Sequence, residues 1–137
     1  MKYIGPIGEW LVMTELLKRD IEAYLAILEN QKDYDITVVT KNSNILRLQV
    51  KTTELQNKST NNTIKIQGAN YNFLILVVIL SNGETDFYII PKAKVGQIMG
   101  KSKQLSLSKK SGNKYIIKEE FSEYKMKWNL IDTTEDI

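Results

Sequence analysis

Asp35, Gln49 and Lys51 are the residues whose types and spacing could do chemistry in this chain. Asp35 opens a β-branched stretch, Tyr34-Asp35-Ile36-Thr37-Val38-Val39-Thr40, and Gln49 and Lys51 stand two apart in the stretch that follows, Ile45 to Thr52. If these two stretches pair as a hairpin, alternation sends Leu46, Leu48 and Val50 one way. It leaves Arg47, Gln49 and Lys51 on the other side, where Gln49 and Lys51 can project towards the Asp35 carboxylate. Such a set suits phosphodiester hydrolysis. A carboxylate oxygen and an amide oxygen hold Mg²⁺, and the backbone carbonyl of Val50 adds a third oxygen. The Lys51 ammonium positions or helps deprotonate an attacking water and offsets charge developing on the phosphorane. Glu9 is a fourth candidate: it lines up with Val12, Met13 and Leu16 at helical spacing, so it borders a buried face and could reach a metal directly or through water.

Each of these residues has a plainer structural reading beside the chemical one. Arg47 and Lys51 also read as the solvent face of a strand, Gln49 as a satisfied amide, and Glu9 as a complement to the positive end of its helix. Asp35 is the hardest to read that way, because an acid beginning an otherwise apolar β-branched strand is locally unfavourable.

Composition narrows the chemistry further. The 137 residues include no cysteine and no histidine. That excludes Cys/His zinc sites, thiol nucleophiles, imidazole-based serine triads and histidine general bases. What remains is carboxylates, amides, hydroxyls, lysines or a hard cation held by oxygen. At 42% hydrophobic and 26% charged, a chain this long buries enough surface to fold as one domain without disulfides or structural zinc. The opening Met1-Lys2-Tyr3-Ile4-Gly5-Pro6 has no signal-peptide apolar stretch, and the longest apolar run, Phe73 to Leu80, is too short to span a bilayer. The expectation is a soluble cytoplasmic protein.

The elements that must position the candidates follow from periodicity. Trp10, Met13, Leu16 and Leu17 recur at helical spacing after Pro6, predicting a helix over 6–19. Ala23 to Leu28 reads equally as helix or strand, and 35–40 reads as a strand. Lys41-Asn42-Ser43-Asn44 is a turn into the strand Ile45 to Thr52, making an antiparallel hairpin. Leu55 to Asn62 is polar and turn-rich, Thr63 to Gln67 is a short strand, and Gly68 to Asn70 is a turn. Phe73 to Leu80 has the continuous Val/Ile character of a strand buried on both faces. Ser81-Asn82-Gly83-Glu84 turns it into a strand over Asp86 to Ile90 that ends at Pro91. Ala93 to Met99 predicts a short helix stopped by Gly100, and Tyr115 to Ile117 a strand. Phe121 to Leu130 is a mixed aromatic and basic segment.

The order of Glu on a first helix, Asp on a strand and Gln-x-Lys on the next resembles the PD-(D/E)xK nuclease superfamily. The residues that carry the resemblance are Gly8-Glu9, Tyr34-Asp35-Ile36 and Leu48-Gln49-Val50-Lys51-Thr52-Thr53. The later strand Phe73 to Leu80 and Phe87-Tyr88-Ile89-Ile90-Pro91 also look like the small intron-type homing endonuclease branch, in which a Gln-x-Lys form of the motif occurs. The resemblance covers roughly residues 5 to 91. It implies a restriction endonuclease-like α/β core, a mixed sheet flanked by helices, that hydrolyses DNA with Mg²⁺, Mn²⁺ being a possible substitute. Asp35, Gln49 and the Val50 carbonyl would be metal ligands, Lys51 would assist the water, and Glu9 would support the metal. No Pro precedes Asp35, and Gln49 stands where most relatives carry an acid; that removes one negative charge and weakens divalent-ion affinity.

The net charge of +3 is unevenly spread. Residues 92–128 hold 10 lysines against 3 acids, and residues 129–137 form an acidic tail with 3 acids and no base. Lys92, Lys94, Lys101, Lys103, Lys109, Lys110 and Lys114 are candidate phosphate contacts, with a solvated lysine-rich surface as the plainer reading. Gly96 to Ser102 resembles a phosphate loop but has three residues between its glycines instead of four. Cutting both strands of a duplex calls for two sites, so a homodimer or larger symmetric oligomer is expected on duplex or branched DNA. Two other readings remain open: a nucleic-acid-binding module of the same fold that has lost chemistry at Gln49, and a protein-interaction domain anchored by Trp10, Tyr124 and Trp128.

Overall fold

The computed structural model describes residues 1–26, 33–56, 63–66, 68 and 70–132. The first helix, α1, covers Ile4–Lys18, starting two residues before the predicted boundary, and Pro6 falls in its first turn, where no intrahelical N–H is lost. Its buried stripe is Gly8, Val12, Met13 and Leu16, whereas Trp10 is 60% and Leu17 54% exposed. Two residues used to read the helix therefore lie on its outer face. Gly8 lets α1 approach the sheet: a Cβ there would sit 1.7 Å from Thr52 Oγ1.

Three strands follow: β1 (Glu22–Leu25), β2 (Ile36–Val39) and β3 (Ile45–Glu54). The ambiguous Ala23 to Leu28 segment is thus extended, its last two residues lying outside the described ones. The predicted β2–β3 hairpin is present, with Ile36 opposite Leu48 and Val38 opposite Leu46. Its turn is closed by Thr40 N–H to the Asn44 carbonyl at 2.8 Å, with Ser43 at φ +63°. The polar stretch expected over Leu55 to Asn62 lies outside the described residues from 57 on. The short strand after it, β4, runs Thr63–Lys65, with Gln67 and Ala69 of the following segment also undescribed.

The apolar run forms β5 (Phe73–Ile79), buried on both faces as predicted, and β6 (Thr85–Pro91) returns antiparallel to it. The sheet order is β1-β2-β3-β5-β6, in which only β3 and β5 run parallel. On one face of this sheet, Leu48, Val50, Ile75, Val77, Phe87 and Ile89 pack with α1, Trp128 and Ile131. On the other, Leu74, Leu76, Val78 and Ile90 pack with Val95, Leu105, Leu107 and Phe121.

Helix α2 covers Lys92–Met99 and ends at Gly100, whose φ of +58° favours glycine. Beyond it come β7 (Gln104–Ser106), paired with β4, and the hairpin of β8 (Ser108–Ser111) with β9 (Lys114–Ile117). β7 and β8 were not predicted. A 3₁₀ turn over Glu119–Tyr124 and the short α3 (Asn129–Asp132) resolve the mixed segment, and the remaining tail residues 133–137 lie outside the described ones. Trp128 is 2% exposed and lies 5.4 Å from Phe87 between ring centres, so it is a core residue and not a surface anchor. No helix among the described residues is long and apolar enough to cross a membrane.

Candidate active site

The site forms at the N-terminal end of β2, beyond which β3 runs on paired with β5 alone. Asp35 precedes β2 and is held in line with it: its N–H donates to the Leu48 carbonyl at 2.8 Å, and its own carbonyl accepts from Ala26 N–H at 2.8 Å. Ile36 opposite Leu48 is the last pair of the β2–β3 ladder, and Asp35 stands one residue beyond it, beside the Leu48 to Val50 stretch of β3. At that point the ladder stops. Val50 N–H, which would otherwise look for a partner on β2, donates to Asp35 Oδ2 at 2.7 Å. Backbone N–H and C=O of one strand residue point to the same edge, so the Val50 carbonyl points towards the carboxylate as well.

Gln49 is buried, and its Nε2 donates to the Asp33 carbonyl at 2.9 Å, which turns Oε1 away from that carbonyl. Lys51 is half-buried two positions further on the same face. Burial pushes the Asp35 carboxyl above its ordinary value, while the Val50 N–H and the Lys51 ammonium restrain that rise. Glu9 is half-buried on α1 and is also raised, first by burial and then by the Asp35 charge. Glu9, Asp35 and Lys51 therefore share one electrostatic environment, and Gln49 adjoins it between the Val50 N–H bond to Asp35 and its own bond to the Asp33 carbonyl. The close packing at Gly8 is what brings Glu9 to the sheet.

These donors fit a hard divalent cation. They offer only oxygen, and they include two desolvated carboxylates whose mutual repulsion a cation would relieve. No group of three or more acidic ligands occurs among the described residues, so the side-chain oxygens a cation could use here are two carboxylates and an amide.

Asp33 is the residue that sequence reasoning missed. Besides its carbonyl bond to Gln49, its Oδ2 accepts from Asn70 N–H at 3.1 Å, and its carboxylate lies against Gly68. Gly68 has φ +77°, and a Cβ there would sit 2.0 Å from Asp33 Oδ1. The only local sign of this contact is the turn composition of Gly68 to Asn70, which says nothing of its partner.

The seven candidate lysines fall into groups. Lys92 begins α2 beside Asn72, its N–H donating to the Asn72 carbonyl at 3.1 Å. Lys101 and Lys103 flank the approach to β7, where the Lys103 carbonyl accepts from Ile66 N–H at 3.3 Å, two residues from the Gly68 that touches Asp33. Lys109, Lys110 and Lys114 belong to the β8–β9 hairpin, which is pinned to Gln56 by two hydrogen bonds with the Tyr115 backbone. Gln56 follows the far end of β3, about 20 Å along the strand from Gln49. Lys94 lies 3.9 Å from Glu123 in an ion pair.

No family model matches the chain, and no curated protein matches it. Eight solved chains do. Among them is a bacterial homing endonuclease, I-Ssp6803I, with a TM-score of 0.66 and 18% identity over 99% of this chain and 95% of that one. What the two share at that identity is the fold, a five-stranded mixed sheet flanked by helices.

Proposed function

We propose that this chain is a metal-dependent endonuclease that hydrolyses DNA phosphodiester bonds, working as a single PD-(D/E)xK-type domain in a homodimer or larger symmetric oligomer. The observation that carries the reading is the Asp35 carboxylate held at the start of β2 by Val50 N–H, with Lys51 acting on its charge and that charge acting on Glu9. The fold shared with a homing endonuclease supports the same reading.

Asp35, Gln49, the Val50 carbonyl and Glu9 would hold Mg²⁺, which when bound polarises a phosphoryl oxygen and makes water a better nucleophile. The protein's own part is positional. Val50 N–H fixes the carboxylate rotamer, and the Asp33 carbonyl fixes the Gln49 amide. Lys51 donates hydrogen bonds to the attacking water and to the phosphate oxygen that gains charge. Of the basic residues, Lys92, Lys101 and Lys103 lie on the side from which a duplex would reach the site, and Lys109, Lys110 and Lys114 would meet only a longer or bent one.

The test is cleavage of plasmid and branched DNA with Mg²⁺ or Mn²⁺ by the native protein and by folded Asp35→Ala. Metal-dependent cleavage that vanishes in the variant supports the nuclease. Salt-sensitive DNA binding with no cleavage by either protein would favour a binding module of this fold, for which the uncharged Gln49 at a ligand position is the supporting observation.

A further inference from the structure

Beside the candidate site stands a second polar cluster that no step of hydrolysis uses. Arg47 lies two residues before Gln49 on the same face of β3, about 7 Å away along the strand. Its guanidinium sits over the Tyr34 ring, 5.3 Å from the centre, and its Nε is buried with no hydrogen-bond partner among the described residues. No ion pair joins Arg47 to a carboxylate among those residues. Lys92 is mounted in the same way, its Nζ 5.8 Å from the centre of the Tyr71 ring.

Asn72 ties the two cations together. Its Oδ1 accepts from Arg47 N–H at 2.7 Å, its N–H donates to the Arg47 carbonyl at 2.7 Å, and its own carbonyl accepts from Lys92 N–H at 3.1 Å. The first turn of α2 holds no acid, so Lys92 adds positive charge where a helix already carries a positive end. Arg47 thus keeps a buried N–H donor without a hydrogen-bond partner among the described residues, and one asparagine links its strand to the residue that brings a second cation.

We propose that Arg47 and Lys92 form a phosphate clamp that takes a phosphodiester one or two nucleotides from the one being cut, and so sets the register of the strand in the site. Arg47 is the planar, two-pronged member and Lys92 the point charge. The clamp is a positioning device and rests on the nuclease reading above.

It is tested by binding of a labelled duplex to the full chain without divalent metal, across a range of salt. The proteins compared are native, Arg47→Ala, Lys92→Ala and Lys41→Ala, the last removing equal charge from the exposed turn at the far end of the β2–β3 hairpin. Arg47→Ala and Lys92→Ala are each expected to weaken binding about tenfold and to lower the slope of log affinity against log salt by about one. Lys41→Ala should change neither. Lys92 is exposed, so its variant folds even if loss of the Tyr34 stack harms Arg47→Ala. If the native protein binds and cleaves DNA but Lys92→Ala keeps the native slope, or Lys41→Ala weakens binding as much, the clamp is overturned and the nuclease stands. If the native protein binds no duplex at any salt, both fall.

Discussion

β3 and β5 lie side by side in one sheet and contribute to the same two cores, yet they are built on opposite principles. From Phe73 to Val78 every residue of β5 is buried and apolar, and the strand does nothing but pack. β3 is apolar on the α1 face from Leu46 to Val50, but on the other it carries Arg47, Gln49, Lys51 and Thr53, with Gln49 and Thr53 buried. A neighbour that shows how well apolar residues serve this environment makes the polar face of β3 a costly choice, since buried polar groups need partners and buried charges need more. Packing falls to β5, and the polar groups proposed for chemistry fall to β3 at that expense.

The contrast predicts opposite responses to substitution. Asp35→Asn should lower cleavage by at least about a thousandfold, roughly 4 kcal/mol of barrier, in single-turnover assays with Mg²⁺. Its amide can still accept from Val50 N–H, so urea unfolding at neutral pH should show stability unchanged or raised by about 1 kcal/mol. Leu76→Ala should do the reverse, costing about 3 kcal/mol in the same unfolding experiment by leaving a cavity in a fully buried strand. If Leu76→Ala is tolerated and Asp35→Asn is destabilised, the division of labour between the strands is wrong.

The seam between site and scaffold should give a smaller effect. Gly8→Ala drives a methyl into Thr52 Oγ1 and should cost about 1–3 kcal/mol, part of it recovered in Gly8→Ala/Thr52→Ala. Equal losses in the single and double variants would show that the contact is not the cause. The smallest effect is in pH. Both Asp35 and Glu9 are raised in the folded chain, so between their ordinary and raised values the folded state holds more protons than the unfolded one. Their contribution therefore falls as pH rises through that window and levels off above it. Subtracting native from Asp35→Asn stability should give a difference that grows from about pH 4 upward and then flattens. Mg²⁺ should close that gap by stabilising the native protein alone.

How much of this was legible from sequence depended on the range of the interaction. The β2–β3 hairpin was readable because turn chemistry at Lys41 to Asn44 and alternation on both sides are local, and they sufficed to bring Asp35 beside the Leu48 to Val50 stretch of β3. The character of β5 was readable from its composition. The parallel pairing of β3 with β5 was not, because nothing in either strand names its neighbour. β7 and β8 escaped because Gln104-Leu105-Ser106 and Ser108-Lys109-Lys110-Ser111 have no strand pattern and are held by their partners β4 and β9. The aromatic signal misled in a specific way: Trp10 lay on the predicted helical stripe but faces outward, and Trp128, a candidate anchor, fills the core. Asp33 with Gly68 and Asn70, and Arg47 with Tyr34 and Asn72, join residues across the sequence by contacts that only the folded chain supplies.

The parallel seam also has a consequence for how the chain reaches this structure. Every β3–β5 partner pair is separated by 25 residues, from Leu48 with Phe73 to Glu54 with Ile79, whereas the β2–β3 and β5–β6 hairpins close over tight turns. Hairpins form in microseconds, and non-local pairing must first meet the entropy of closing its loop. The two hairpins can therefore exist before they are joined, and the β2–β3 half already contains the Asp35 to Val50 contact. The Asp35 to Val50 contact is thus a local product of one hairpin, while the rate at which the whole domain assembles is expected to follow the non-local β3–β5 seam.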